Sequence, residues 1–332
     1  AVIGVGIIGY GVMGRTHAAA YAAAAQAGID CRVLGVHSRS MREGGGNLAQ
    51  QSQSGALGPE TRVYASAEEL LADERIHVVS ICTHTDSHVE LALAALAAGK
   101  HVIVEKPVAL TAEAVRPLAE AARRASTLCM PAMCMRFWPG WPWLHEQIRS
   151  GVFGAVRSAS FERVGAQPDW APHFYRQPEL TGGPLHELHV HDADFVRWCF
   201  GDPAAVQTAG DPMRFTTHYR YEADDAAIAA TGGWVDDPGF AFHMRYRVEF
   251  DDAVADFVHD RESPLLLTRA GETQPVPLPS TTGYEAEVLH FLEAVRDGRR
   301  DLRVTMDDAL MVARLLDAEA ESLASGEAAP LR

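Results

Sequence analysis

The chain has 332 residues, 47% of them hydrophobic, more than one compact core usually organises, so two domains are expected. Its 29 Lys and Arg against 44 Asp and Glu leave a formal charge of −15, which repels phosphate backbones and anionic bilayers and argues against nucleic acid or membrane partners. Five cysteines, Cys31, Cys82, Cys129, Cys134 and Cys199, form no C-x-x-C pair and sit mostly in apolar runs. They read as buried free thiols of a reducing compartment, and without a basic leader or a long apolar span the expected location is the cytoplasm.

Residues 1–14, AVIGVGIIGYGVMG, are an apolar run that breaks into Gly9-Tyr10-Gly11-Val12-Met13-Gly14 ahead of an alanine-rich segment. This reads as strand, turn and helix in the G-x-G-x-x-G arrangement. One glycine makes the turn, the next lets backbone approach a pyrophosphate, and the third lets helix pack on strand. The helix N-terminus would offer its free N–H groups to the phosphates. Gly9, Gly11, Val12, Met13 and Gly14 are therefore candidate cofactor contacts, with a merely structural glycine turn as the alternative. A second buried strand over residues 31–36 leads into His37-Ser38-Arg39, where such folds read the adenosine ribose. No carboxylate stands there to repel a 2′-phosphate and Arg39 can fork onto one, so Ser38 and Arg39 point to NADP(H). Arg39 as a solvated loop residue, with NAD also accepted, is the competing reading.

Residues 42–59 are rich in Gly, Ser and Gln and read as a helix-bearing connection. Strand and helix then alternate: helix 66–71, strand 78–83, helix 86–98 closed by Gly99, strand 101–105, helix 111–124 and strand 127–134. That alternation demands a parallel sheet with its ligands outside the carboxyl ends of the strands. Thr83, His84, His88, Glu105 and Lys106 fall at or near those ends and are candidate cofactor contacts. A lysine beside a cofactor can hydrogen-bond a substrate hydroxyl and help carry its proton. For an isolated Glu-Lys, a surface ion pair is the alternative.

GIIGYGVMG, then Thr83-x-x-x-x-His88, then Glu105-Lys106-Pro107, in that order, resemble the glucose–fructose oxidoreductase and inositol dehydrogenase family, Gfo/Idh/MocA, over essentially the whole chain. The family's Thr-Pro is Thr83-His84 here. The resemblance implies an α/β fold: an N-terminal Rossmann doubly wound parallel sheet, then a C-terminal α+β domain with a large, mainly antiparallel open sheet. Residues 1–133 are expected to form the dinucleotide-binding domain. Residues 134–332 are expected to form a substrate-binding and oligomerisation domain, with helices at 284–325 packing back on the first.

Residues 135–143, MRFWPGWPW, resemble the family's Arg-Phe-x-Pro crossover. Phe137, Trp138, Trp141 and Trp143 offer faces on which a sugar can stack, with core packing the alternative for most of them; Arg136 and Trp138 are kept as candidate substrate contacts. Stretches at 156–164, 226–234, 240–250 and 254–259 read as strands of a mainly antiparallel sheet. The resemblance implies that one face of that sheet pairs with a second subunit, as sheets do in relatives of this family, so a homodimer or homotetramer is expected.

Residues 182–194 read GGPLHELHVHDAD. If they are helical from Leu185, Glu187 and His191 lie four apart on one face. The family's Gly-Gly-x-Leu-x-Asp-x-Gly-x-His-x-x-Asp pattern implies that His191 is the catalytic histidine and Asp194 the final aspartate. Glu187 then replaces the usual Asp, and His189, replacing Gly, adds an imidazole beside the pocket or cofactor. Three histidines in six residues also invite zinc, but the second imidazole of an H-E-x-x-H motif would fall at Val190, and no metal is expected. The loop at 167–179 offers Asp169, Trp170, His173, Tyr175 and Arg176 as substrate contacts, an ordinary polar loop being the alternative. Helices at 281–295 and 306–323 resemble the family's closing pair.

The resemblance implies an NAD(P)-dependent oxidoreductase moving hydride between nicotinamide and a CH–OH or C=O carbon of a sugar, inositol or related polyol, with Lys106, His191 and Glu187 as catalytic residues. A non-catalytic nucleotide- or sugar-sensing regulator and an NAD-dependent redox glycosidase of the same fold are the alternatives.

Overall fold

A computed structural model describes residues 2–38, 57–168, 177–222 and 226–332. The chain forms two units, the first made of Ala1–Ala109, Glu113–Phe137 and Thr281–Leu310, the second of Leu110–Ala112, Trp138–Ser280 and Met311–Arg332.

The first unit is built on six strands: β1 (Ile3–Ile8), β2 (Cys31–His37), β3 (Arg62–Val63), β4 (Val78–Ile81), β5 (His101–Val104) and β6 (Cys129–Pro131). They lie in the order β3-β2-β1-β4-β5-β6, all parallel. Every residue of β1 and β4 is buried, which is why neither alternates apolar with polar residues; the one polar residue, Ser80 of β4, is hydrogen-bonded within the core. The sheet grows one way through β2 and the other way through β4, so the carboxyl ends of β1 and β4 flank the switch point where such sheets bind ligands. Helix Val12–Gln26 lays Gly14, His17, Ala18, Tyr21 and Ala24 into the core, the three-and-four spacing of one helical face. Against it packs helix Gly283–Asp297, opened by a capping box in which Thr282 and Glu285 satisfy each other's backbone N–H groups.

The second unit carries β7 (Val156–Ala166), β8 (Ala205–Gly210), β9 (Arg214–Arg220), β10 (Ala227–Val235), β11 (His243–Phe250), β12 (Ala253–Val258), β13 (Leu265–Arg269), β14 (Glu272–Pro275) and β15 (Ala329–Pro330). They form one mixed sheet in the order β14-β13-β12-β11-β7-β10-β9-β8-β15. All pairs are antiparallel except β7 with β10. One face is apolar: in β11, Met244, Tyr246, Val248 and Phe250 are buried while His243, Arg245 and Arg247 are exposed. The core of this face is aromatic. Trp141, fully buried, meets Phe195 and Tyr246 edge-on at 4.7 and 5.3 Å, and the Tyr246 hydroxyl donates to the Gly140 carbonyl at 2.8 Å. Trp141 is thus committed to packing and has no face to give a sugar.

Strands β8, β9, β13 and β14 go beyond the sequence reading. In β8, β9 and β14 the Thr, Arg and Gln residues leave few apolar positions to mark a strand, and β13 offers only the short leucine run 265–267, so it is pairing with neighbours that makes them strands. Among the described residues no helix is long and apolar enough to cross a membrane. All five cysteines are free, four of them buried.

Candidate active site

In the first unit the three fingerprint glycines do three different jobs. Gly9 follows β1 at φ +90, and a Cβ there would lie 2.5 Å from the Cys82 carbonyl oxygen at the end of β4. Its N–H donates to the His37 carbonyl at 2.8 Å, fastening the turn to the end of β2. Gly14 sits in the first turn of the helix with its Cα against the Gly9 carbonyl, and a Cβ would meet that oxygen at 2.1 Å. Both positions are closed to a side chain by the protein itself. Gly11, the N-cap, is different: its φ is −82, and a Cβ would meet nothing within 4 Å. Nothing in the fold requires glycine there. The first turn of the helix carries no acidic residue, so a space bounded by Gly11 and a helix N-terminus is open to an anion, and the residues fit a dinucleotide pyrophosphate. Val12 is exposed at the same turn, and Gly11 and Met13 are half-buried. Ser38 is buried just past β2; Arg39 lies outside the described residues.

The ends of β4 and β5 form the second part. Thr83 is half-buried and its hydroxyl accepts from Ser87 Oγ at 2.7 Å, while His84 is exposed. His88 and Glu105, expected to contact the cofactor, are turned inward instead. His88 is 1% exposed, with Nδ1 2.9 Å from the Pro107 carbonyl and Nε2 3.0 Å from the Thr83 carbonyl. Carbonyls only accept, so both bonds form together when each ring nitrogen carries a proton. The ring clamps the Thr83 loop to the Lys106-Pro107 turn, whose peptide bond is cis.

Glu105 is 5% exposed. One oxygen lies 2.9 Å from His17 Nε2 and the other accepts the Lys106 N–H at 3.1 Å. His17 Nδ1 in turn meets Ser80 Oγ at 3.0 Å, and Ser80 meets the Tyr21 hydroxyl at 2.7 Å. Burial by itself would raise the Glu105 carboxyl, but the bond and charge of His17, with the charges of Lys106 and His88, hold it below its ordinary range. Burial likewise works to lower His17, and Cys82 and Glu105 more than reverse it, keeping the imidazole well above its usual value. A buried carboxylate therefore holds the backbone N–H of the half-buried Lys106, and the lysine's charge in turn helps to keep that carboxyl low. His17, Ser80 and Tyr21 escaped the sequence reading. The available signal was a lone histidine on the alanine face of a buried helix, which by itself says only that a partner must exist.

The second unit supplies the remaining candidates. Residues 185–200 are not one α-helix: Leu185–His189 form a π-helical turn that passes into the α-helix Val190–Phe200. Such turns carry one more residue than an α turn and often occur at functional sites. From 185 to 196 only Glu187, Leu188 and His191 keep partial exposure. The two expected catalytic residues of this segment thus share the open stripe of an otherwise buried turn. Asp194 is 1% exposed. Asp192, fully buried, takes a fork from Arg163, whose Nε and Nη2 lie 2.8 and 3.2 Å from its two oxygens.

Three expected substrate contacts need separate comment. His189 points away from the open stripe; it is fully buried, with Nε2 2.8 Å from Glu319, and has no surface for a ligand. Arg136 is 2% exposed, donating to the Arg303 carbonyl at 3.0 Å and pairing with Asp308 at 3.4 Å. It braces the first unit, because a buried guanidinium needs acceptors and the 303–308 segment provides them. Trp138 is half-buried and lines a shallow cavity of about 530 Å³ with Phe257, His259 and Pro277. Trp170, His173 and Tyr175 lie outside the described residues, as do Asp169 and Arg176.

Comparison with known proteins identifies the family of the chain. A family model described as oxidoreductase family, NAD-binding Rossmann fold matches residues 3–133, and one described as GFO/IDH/MocA C-terminal domain matches residues 142–232. Levoglucosan dehydrogenase of Pseudarthrobacter phenanthrenivorans is 30% identical over 208 residues, 61% of this chain and 53% of that protein. Inositol 2-dehydrogenase of Rhizobium meliloti is 26% identical over 341 residues, 96% of each chain. A solved structure of levoglucosan dehydrogenase in complex with NADH and levoglucosan superimposes with a TM-score of 0.84, at 22% identity over 100% of both chains, a likeness of fold. The chain spans about half the length of several curated relatives it matches. By the two family models, which together span most of its length, this chain belongs to the GFO/IDH/MocA oxidoreductase family.

Proposed function

We propose that this chain is an NAD(P)-dependent oxidoreductase that interconverts a CH–OH and a C=O carbon of a sugar, inositol or related polyol. The observation that carries the reading is the open space over Gly11 at a helix N-terminus, in a sheet where a half-buried lysine follows β5 with its backbone N–H held by a buried carboxylate. The full-length likeness to an inositol dehydrogenase supports the substrate class. The absence of a carboxylate at His37-Ser38-Arg39 supports NADP(H), with NAD(H) as the other coenzyme to be tried.

Gly9, Gly11, Val12, Met13 and Gly14 hold the pyrophosphate, and Ser38 and Arg39 take the adenosine ribose and its phosphate. When bound, the nicotinamide supplies the hydride acceptor or donor. In the oxidative direction Lys106 hydrogen-bonds the substrate hydroxyl and stabilises the charge that develops on its oxygen, while His191 accepts its proton. Glu187 orients the substrate and shares the open stripe with His191. In reduction His191 returns the proton. The partner is the small sugar or polyol itself.

A panel of sugars and inositols, each with NADP⁺ and NAD⁺, followed by nicotinamide absorbance, tests the reading. Turnover is expected with at least one, and Lys106→Ala and His191→Ala are expected to lower kcat by about 100-fold or more while coenzyme affinity is kept. Tight nucleotide binding without turnover on any substrate favours a sensor instead, and wild-type turnover in either variant removes that residue from the scheme.

A further inference from the structure

His189 and Glu319 form an ion pair at the centre of the second unit. Both side chains are fully buried and Nε2 lies 2.8 Å from the carboxylate. Glu319 is held from two more directions: the Tyr219 hydroxyl donates to it at 3.0 Å and the Thr217 hydroxyl at 3.1 Å. Thr217 continues the chain to Thr208 at 2.9 Å, and the Thr208 N–H donates to Ser322 Oγ at 2.9 Å. The network therefore ties β8, β9 and helix Met306–Ser325 to one residue of the turn Leu185–His189.

The pair has a seat made for it. A Cβ on Gly232 of β10 would fall 2.8 Å from His189 Nδ1 and 2.9 Å from its Cβ, so only glycine at that position admits the imidazole. Phe215 closes another side, edge-on at 5.1 Å. Asp192 and Arg163 are the further charges that act on the ring. A buried ion pair with one ring nitrogen lacking a partner is a costly way to gain stability, and well-packed apolar residues usually serve as well or better. What such a pair supplies is a single geometry. An i→i+5 turn is a rare local conformation, and relaxing it to an α turn would rotate the residues on one side of it relative to those on the other. Glu187 precedes His189 by two residues and His191 follows it by two, and both lie on the open stripe.

We propose that the His189–Glu319 pair, seated against Gly232, is a positioning device that locks the π turn and thereby sets the mutual placement of Glu187 and His191. Its catalytic consequence rests on the function proposed above; its structural half does not.

The test uses the full chain with His189→Gly, His189→Gln, Gly232→Ala and the double variant His189→Gly/Gly232→Ala. On a sugar that the wild type turns over, His189→Gly and Gly232→Ala should each lower kcat by about tenfold or more, since small displacements of reacting groups are costly, with coenzyme Kd within about twofold. His189→Gln, whose amide places a donor close to the Nε2 position, should recover most of the loss. In the double variant the new methyl occupies vacated space, so it should be no slower than His189→Gly, a non-additivity that general destabilisation would not produce. Hydrogen exchange of the amides at 185–191 should speed up in the same two single variants, whether or not any sugar is turned over. Unchanged exchange in His189→Gly, equal losses in the Gly and Gln variants, or additive losses in the double variant overturns the proposal. Absence of wild-type turnover overturns the proposed function and leaves the exchange measurement to decide this one. If His189→Gly does not fold, Gly232→Ala and His189→Gln still carry the comparison.

Discussion

A single methyl group added at Gly11 or at Gly14 should separate coenzyme binding from folding. At Gly14 the new carbon would stand 2.1 Å from the Gly9 oxygen and 3.0 Å from its carbonyl carbon, the first of these about an ångström or more short of van der Waals contact. The helix must back away from the turn, and forced overpacking of this kind costs about 1–3 kcal/mol. In a unit of this size that lowers Tm by several degrees. At Gly11 the same methyl enters open space on an extended backbone, φ −82 and ψ −150. Gly11→Ala should therefore change the stability of the free protein by less than about 1 kcal/mol, the lost N-cap preference of glycine offsetting the gain from a stiffer unfolded chain. Its penalty appears with ligand. Losing one charge-assisted contact to a phosphate costs about 1.5–3 kcal/mol, which is roughly a 10- to 100-fold weaker Kd. Thermal unfolding without ligand, paired with fluorescence titration by NADPH and NADH, reads both quantities. Wild-type coenzyme affinity in Gly11→Ala would refute the assignment of that space to the pyrophosphate. An equal fall in Tm for both variants would refute the division of roles among the glycines.

Asp192→Ala strands the buried Arg163 guanidinium and should cost about 3–5 kcal/mol, read by chemical denaturation; a loss under 1 kcal/mol, the range of an exposed pair, would mean that water or another acceptor replaces the carboxylate. His290 provides a pH test. Burial first, then the charges of Arg303 and Arg299, push its imidazole down to about 4, and its Nε2 accepts the Arg303 N–H at 3.0 Å. Between the unfolded value of 6.5 and about 4, the unfolded chain holds a proton that the folded one lacks, so stability falls as pH falls through this window. His290→Gln keeps an acceptor and should remove up to about 1 kcal/mol per pH unit of that slope. Denaturation midpoints at several pH values within the window check this, and an unaltered slope would mean that the ring is already protonated in the folded state.

Much of the site is legible in the chain because it is local. A glycine turn followed by a helix is a matter of adjacent backbone, so Gly9 to Gly14 announce themselves by spacing, and the ends of β4 and β5 follow from alternation of strand and helix. The half-exposed stripe of Glu187 and His191 was also within reach, since four-residue spacing marks a shared face. The turn that carries them was not: a π turn and an α turn have the same local preferences, and which one forms depends on what Leu185 to His189 pack against. Direction was the other difficulty. His88, Glu105, Arg136 and His189 all have the right chemistry to touch a ligand and stand beside residues expected to do so, yet all four face inward.

The chain by itself determined the class of the fold, the dinucleotide turn, and which short segments carry chemistry, because each depends on residues within a turn or two of one another. Tertiary structure decided which polar side chains meet solvent and which meet each other. His17 finds Glu105 across 88 positions and Tyr219 finds Glu319 across 100. A buried charge is tolerable only where a partner arrives from elsewhere in the fold, and a partner that distant leaves no mark in local sequence.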